Sequence, residues 1–161
     1  LLRYDSIHGR FPGVIRTEGE TLDLGRGPIR VMSSYEPQTL DWEGCDVVLE
    51  CTGKFNDRDK AAVHLTRGAK RVLVSAQAPR DWIGGNNQAM RDFALRMRVV
   101  ELADWYTAIQ PSLDVLASDD VHPGPTGAAI YTQAVLEALT RLTLVPPLLG
   151  DDELRWLPRA V

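Results

Sequence analysis

Three continuous apolar segments in the middle of the chain predict β-strands that are buried on both faces. These segments lie at 47–51, 72–76 and 99–103. Helix signals between and after them predict helices at 58–67, over the apolar positions between 89 and 97, and at about 127–142. Strands and helices therefore alternate, which is the pattern of a parallel sheet with right-handed crossovers.

The first third of the chain has a different pattern, in which short β-prone runs are separated by turns. The runs lie at 14–17, 21–24 and 29–32, with glycine-containing segments between them. This arrangement predicts a small antiparallel meander. The expected fold is α/β, a small three-layer Rossmann-like or flavodoxin-like parallel sheet with an N-terminal antiparallel β-meander. We expect one domain over 1–150 and a loosely held tail at 151–161.

Composition and charge exclude several classes of partner. The chain has 161 residues, of which 44% are hydrophobic and 25% charged, and its net charge is -4. Nucleic-acid binding needs a clustered positive surface, and a membrane span needs an apolar run of roughly 20 residues, so neither partner is expected. Cys45 and Cys51 lie roughly 20 Å apart along an extended strand. We therefore expect free thiols, a reducing cytoplasm and no zinc site.

The first part of the chain carries the motifs of a known family. In order they read YDSIHGRF at 4–11, GRGPI at 25–29, LECTGKF at 49–55 and GAKRVLVSA at 68–76. Residues 1–76 resemble the second half of the NAD-binding domain of glyceraldehyde-3-phosphate dehydrogenase. The resemblance implies contacts with the nicotinamide and ribose half of NAD from Thr52, Gly53, Ser75 and Ala76. It also implies a structural role for Cys51.

The later part of the chain carries the motifs of a second family. In order they read VLVSAQAPRDW at 72–82, VELADWY at 100–106, ASDDVHP at 117–123 and PTG at 125–127. Residues 72–150 resemble the C-terminal half of SGNH/GDSL-type hydrolases, especially the SGNH domains attached to membrane acyltransferases. The resemblance implies that His122 is a general base and that Asp119 orients it. An esterase would then need an unconventional nucleophile, Ser6 or Ser75.

Other polar and aromatic residues are expected to have structural roles. Asn86 and Asn87 follow two glycines and are expected to cap a helix rather than stabilise an oxyanion. His64 is expected to lie at the surface or to be hydrogen bonded. Trp42 is expected to anchor a loop onto the sheet.

Both resemblances include the strand at 72–76, so the chain is chimera-like and each family's site is expected to be incomplete. The first family's phosphate loop comes before residue 1 and its catalytic cysteine and histidine come after Ala76, while the second family's serine block belongs before residue 72. We therefore expect a hybrid α/β domain without efficient catalysis, and no cofactor or only weakly bound NAD. The alternatives are an SGNH-like esterase or deacylase that uses His122 and Asp119, a weak NAD- or nucleotide-binding module, and a structural module that binds a protein partner or a second copy through the edge of the N-terminal sheet.

Overall fold

The computed structural model describes residue 3 and residues 10–55, 58–77, 84–117 and 120–144. The chain forms two compact units, Leu1–Leu40 and Asp41–Val161. The predicted domain boundary at 150 and the predicted tail at 151–161 lie outside the described residues. None of the described helices is long and apolar enough to cross a membrane.

The first unit contains a three-stranded antiparallel sheet. Its strands are β1 (Arg16–Glu18), β2 (Thr21–Asp23) and β3 (Pro28–Arg30), in the order β1-β2-β3. Asp23 organises the turn between β2 and β3, because its Oδ1 accepts hydrogen bonds from the backbone N–H groups of Gly25 and Gly27 at 2.7 and 3.2 Å. The predicted meander is confirmed.

The second unit is built on a three-stranded parallel sheet. Its strands are β4 (Val48–Glu50), β5 (Val72–Ser75) and β6 (Val100–Ala103), in the order β4-β5-β6. Val48, Val72 and Val100 lie side by side in register. All four residues of β5 are buried, because β5 has a strand on each side. The three strands predicted from the apolar runs therefore share one sheet.

Helices cover both faces of this sheet. The helices α1 (Arg58–Ala61), α2 (Val63–Thr66) and α3 (Gly84–Arg96) lie on one face, and α5 (Pro125–Thr143) lies on the other. Alternate residues of a strand point to opposite faces. Val72 and Val74 accordingly pack with the first group of helices, while Leu73 packs with Ala138 and Leu142 of α5. The predicted three-layer α/β fold is confirmed.

Two predicted helices differ in detail from the helices observed. The helix predicted at 58–67 is interrupted at Ala62, which separates α1 from α2. Gly68 follows α2 with a φ of +102°, as expected for a glycine that ends a helix. The helix α3 begins at Gly84, so Asn86 and Asn87 lie inside it rather than at its cap. The prediction that these asparagines cap a helix is therefore wrong.

A short helical segment after β6 was not predicted. It consists of α4 (Trp105–Ile109) and a 3-10 helix at Gln110–Val115. Asp104 caps α4, because its Oδ1 accepts a hydrogen bond from the N–H of Thr107 at 3.2 Å. Trp105 and Ile109 are buried, so packing of two apolar side chains fixes this segment against the rest of the unit.

Candidate functional site at the carboxyl edge of the parallel sheet

The carboxyl ends of β4, β5 and β6 form one edge of the second unit's sheet. The residues at these ends are Cys51, Thr52 and Gly53 after β4, Ser75, Ala76 and Gln77 at the end of β5, and Asp104 after β6. In open parallel α/β sheets, ligands bind beyond this edge. The structure therefore brings the four residues predicted to contact NAD onto two neighbouring strand ends, and their role in binding stays a prediction.

Tyr131 of α5 lies across these two strand ends. Its Oη is 3.1 Å from Oγ of Ser75 and 3.3 Å from Sγ of Cys51. The hydroxyl of Ser75 donates to the carbonyl oxygen of Ala76 at 3.1 Å. The ring of Trp105 stands edge-on to the Tyr131 ring, with 5.5 Å between the ring centroids. The carboxyl ends of β4 and β5 are thus in contact with side chains of the chain itself.

The environment of Tyr131 keeps its phenol protonated. Burial raises the pKa of Tyr131 to about 12, the neighbouring sulfur of Cys51 adds to the rise, and the hydroxyl of Ser75 opposes it. A phenol with this pKa donates a hydrogen bond at neutral pH and does not accept a proton from a neighbouring hydroxyl. Tyr131 therefore cannot activate Ser75 as a general base.

Gln77 closes the same edge from the other side. Its Nε2 donates to the carbonyl oxygen of Gly53 at 2.7 Å, and its backbone N–H donates to Oδ1 of Asn87 at 2.9 Å. Asn87 is 1% exposed, so α3 holds Gln77 through a buried amide. A Cβ atom on Gly53 would lie 2.7 Å from Nε2 of Gln77, so Gly53 is the residue type that permits this contact.

A buried polar network lies directly below Thr52. Glu50 is 4% exposed and His64 is 3% exposed. Nε2 of His64 is 2.9 Å from Oε2 of Glu50, while the backbone N–H and the hydroxyl of Thr52 donate to Oε1 of Glu50 at 2.8 and 2.5 Å. The indole N–H of Trp42 donates to Nδ1 of His64 at 3.1 Å. The strand end at Thr52 is therefore tied to β4, to α2 and to the segment before β4.

The Trp42 contact decides the tautomer of His64. The indole nitrogen is only a donor, so Nδ1 of His64 must be the acceptor and Nε2 must carry the proton that faces Glu50. Burial alone would raise the pKa of Glu50, but hydrogen bonds from His64 and Thr52 outweigh burial and lower this pKa below its ordinary value. Glu50 is thus an ionised, fully bonded carboxylate. This network makes His64 a structural residue.

Sequence reasoning predicted a hydrogen-bonded or surface His64 but missed Glu50. A signal was present, because Glu50 shares its strand face with Val48 and therefore points into the core. A carboxylate in such a position needs partners, and His64 is the partner that the structure supplies.

The carboxylate of Asp104, at the third strand end, is also engaged. Its two oxygens lie 3.1 and 3.2 Å from one guanidinium nitrogen of Arg91, and the hydroxyl of Thr107 donates to Oδ2 at 2.9 Å. These contacts join α3, β6 and α4. Asp104 acts here as a helix cap and an ion-pair partner.

The residues predicted for ester hydrolysis are placed only in part. His122 is exposed and lies in a turn closed by a hydrogen bond of 2.7 Å from the N–H of Ala117 to the carbonyl oxygen of His122. Asp120 adopts a φ of +54° within this turn. Asp119 and Ser6 lie outside the described residues. The roles of His122, Asp119 and Ser6 stay predictions.

Comparison with known proteins finds relatives of the first part of the chain. The family model for the NAD-binding domain of glyceraldehyde 3-phosphate dehydrogenase matches residues 1–58. A glyceraldehyde-3-phosphate dehydrogenase of Xanthobacter flavus is 58% identical over 80 residues, which are 48% of this chain and 24% of that protein. The enzyme of Cereibacter sphaeroides is 50% identical over 92 residues, covering 55% of this chain and 28% of the relative.

The chain spans about a quarter of the length of these curated relatives. The dehydrogenase resemblance predicted from the motifs is confirmed for this region. The hydrolase resemblance of residues 72–150 stays a prediction. Residues 1–58 are thus similar to part of the NAD-binding domain of glyceraldehyde 3-phosphate dehydrogenase, and the described part of the chain has a Rossmann-like α/β fold.

Proposed function

We propose that the second unit is a hybrid Rossmann-like α/β domain whose cofactor edge is closed by its own side chains. In this proposal it binds NAD at most weakly and catalyses neither hydride transfer nor ester hydrolysis efficiently. The observation that carries the proposal is the position of Tyr131, whose hydroxyl contacts both Ser75 and Cys51 at the ends of β4 and β5.

The cost of opening this edge sets the expected NAD affinity. A ligand that contacts Ser75 must displace the Tyr131 ring, which breaks the contact with Trp105 and the hydrogen bond to Ser75. An aromatic pair and one half-buried hydrogen bond together contribute about 1–3 kcal/mol. This cost weakens binding by about 5- to 150-fold relative to an open edge.

Calorimetric titration with NAD tests the proposal. We expect no saturable heat from the unchanged protein at NAD concentrations up to about 1 mM, and tighter binding by Tyr131→Ala, because that change removes the ring and its hydroxyl. Gln133→Ala is the matched control, since Gln133 lies on the same helix and is exposed. Saturable binding by the unchanged protein with a dissociation constant below about 0.1 mM would contradict the proposal.

A weak NAD- or nucleotide-binding module is the alternative that the match over residues 1–58 favours. This alternative predicts that calorimetric titration with NAD gives saturable heat, and that the heat disappears when the end of β4 is altered. Gly53→Val is suitable, because Gly53 has a φ of +70°, which a β-branched residue rarely adopts, so the Thr52–Gly53 turn must change. Binding that is lost in Gly53→Val and kept in Gln133→Ala would establish this alternative.

The esterase alternative is supported by the direction of α5. Tyr131, early in α5, contacts Ser75 at the carboxyl end of β5, and Arg141, late in α5, lies 3.2 Å from Glu101 near the start of β6. The helix thus runs opposite to the strands, so the turn with His122 that precedes it belongs to the carboxyl side of the sheet. This is the side on which a general base would serve a hydroxyl there.

Hydrolysis of nitrophenyl acetate distinguishes the esterase from the inactive domain. Our proposal predicts the same rate for the protein, for His122→Ala and for the buffer blank. A general base contributes about 10²–10⁴-fold to the rate, so an esterase would lose at least 100-fold in His122→Ala. The control Asp120→Asn leaves His122 in place. Ser75→Ala and Ser6→Ala would then identify the nucleophile.

We also propose a reducing compartment, the cytoplasm, for this chain. Cys45 and Cys51 are both free thiols, as expected from the sequence. Labelling of both thiols in freshly lysed cells is the expected result. A form that resists labelling until it is reduced would contradict the proposal.

A further inference from the structure

β1 is an edge strand of the meander in the first unit. Among the described strands, only β2 pairs with it, so one edge of β1 points outward. β1 is the first strand in the order β1-β2-β3, and all three of its residues are exposed. Glu18 and Thr21 are opposite each other across the two-residue turn at Gly19 and Glu20. The two residues that flank a two-residue turn bond to each other through their backbone N–H and C=O groups. Along an antiparallel strand these groups point alternately to one neighbour and to the other, so the N–H and C=O of Thr17 point away from β2.

The pairing of β2 with β3 agrees with this alternation. The N–H of Val31 donates to the carbonyl oxygen of Glu20 at 2.7 Å. Leu22, two residues further along β2, is opposite Ile29. The backbone groups of β2 that face β3 therefore belong to its even-numbered residues. This is required if Glu18 and Thr21 bond to each other between β1 and β2.

The outer edge of β1 is complementary to itself. In an antiparallel pair of two β1 strands centred on Thr17, each Thr17 exchanges both backbone hydrogen bonds with the Thr17 of the second copy. Arg16 of one copy then lies opposite Glu18 of the other, twice by symmetry. We propose that a second copy of this chain docks on β1 in this register and joins two meanders into one six-stranded antiparallel sheet.

Within the described residues, the contacts of the β1 side chains leave these side chains available for this pairing. Arg16 is 69% exposed at its side chain and lies 4.0 Å from Asp23, a distance at the limit for an ion pair. The carbonyl oxygen of Glu18 accepts from the hydroxyl of Thr21 at 2.7 Å, which leaves the carboxylate of Glu18 out of that contact. The described contacts of both residues thus point to β2 and not to the outer edge.

The outer edge of β6 differs from that of β1, because side chains of the chain already bond to its backbone. Leu102 faces away from β5, because β5 bonds to the carbonyl oxygens of Val99 and Ala103. Glu101 accepts from the N–H of Leu102 at 3.2 Å, and Arg141 donates to the carbonyl oxygen of Leu102 at 3.4 Å. Side chains that cap an edge in this way block strand addition. The contrast favours β1 as the docking edge.

The dimer is expected to be weak, because each copy contributes one strand of three residues. A contact of this size lies well below the roughly 1,000 Å² of a stable interface. We therefore expect association at about 0.1–1 mM protein, measured by sedimentation equilibrium. The association should weaken as salt is added, because two ion pairs hold the register.

Charge reversal tests the register. Arg16→Glu leaves two acidic residues on the edge and Glu18→Arg leaves two basic residues, so each variant should self-associate about tenfold or more weakly than the unchanged protein. An equimolar mixture of the two variants restores both opposite-charge pairs and should associate again. Arg30→Glu is the control, since it changes the charge of β3 and should associate like the unchanged protein.

Several outcomes would overturn the proposal. One is a protein that stays monomeric up to about 1 mM. Another is association that survives in Glu18→Arg, which is opposite only Thr21 in its own sheet and so keeps the meander intact. A third is a mixture of the folded variants that associates no better than either alone. Circular dichroism of each variant identifies any that fails to fold, and Glu18→Arg then decides the question alone.

Discussion

Replacing His64 by alanine should destabilise the second unit more than the number of removed side-chain atoms suggests. His64 is buried and supplies the hydrogen bond at 2.9 Å to one oxygen of Glu50, while Trp42 donates to its other nitrogen. The change removes one partner from the buried carboxylate of Glu50 and one from the indole N–H of the half-buried Trp42. The carboxylate lies too deep to recover its bond from bulk water.

The expected loss follows from these contacts. Because Nδ1 of His64 accepts from Trp42, the contact with Glu50 is a hydrogen bond from one N–H to a buried carboxylate, and a bond of this kind contributes about 1.5–3 kcal/mol. Glu50 keeps two hydrogen bonds from Thr52, but Trp42 also loses its acceptor and the change leaves a space in the core, so we expect a value near the upper end, about 3 kcal/mol. This is a large fraction of the roughly 5–15 kcal/mol by which domains are stable.

Urea unfolding followed by tryptophan fluorescence measures this loss. The matched control is Lys70→Ala, which removes an ion pair of 2.8 Å to Asp46 that is exposed on both sides. Exposed pairs contribute little, so the unfolding midpoint of Lys70→Ala should stay close to that of the unchanged protein. A double-mutant cycle with Glu50→Gln separates the charge from the space that His64 leaves.

Either of two results would show that the contact between His64 and Glu50 does not stabilise the second unit. One is a midpoint for His64→Ala that equals the midpoint for Lys70→Ala. The other is an equal cost for His64→Ala with Glu50 present and with Glu50→Gln, since the interaction would then contribute nothing. A cost that falls in the Glu50→Gln background is the expected result.

Two further predictions follow from the same unit. The folded-state pKa of Glu50 lies below its ordinary value of 4.5, so the stabilisation that Glu50 provides is complete above pH 4.5 and is lost as the pH falls through the folded-state pKa. Glu50→Gln should flatten this part of a curve of unfolding free energy against pH. An unchanged slope would count against an ionised Glu50. Gly68→Ala should lower the free energy of unfolding by about 1–3 kcal/mol, because Gly68 has a φ of +102° and a Cβ there would lie 2.9 Å from the backbone nitrogen of Glu43; an unchanged urea midpoint would show that the turn relaxes freely.

The elements of the second unit could be predicted because their signals are local. The continuous apolar runs that became β4, β5 and β6 are typical of a parallel sheet with helices on both faces. The helix α5 had a periodic apolar face and extends only one or two residues beyond the predicted limits. In contrast, α4 is too short to show a period, and its one signal was Asp104 before Trp105.

The contacts at the candidate site could not be predicted, because they join residues far apart in sequence. Tyr131 meets Ser75 across 56 positions and Cys51 across 80. Tyr131 lies within the last helix predicted from the sequence, but only the register of that helix on the sheet decides which strand end it meets. The contact between Gln77 and Asn87 likewise depends on how α3 is placed against the end of β5.

Closure of the carboxyl edge of the sheet by Tyr131 is the central feature of the second unit. Alkaline titration of the phenolate absorbance, with Tyr131→Phe for comparison, tests this closure directly. We predict one phenol with a pKa of about 12 that is missing in Tyr131→Phe. If the phenol lost in Tyr131→Phe titrates near its ordinary pKa of 10.0, Tyr131 is open to solvent and the edge is not closed.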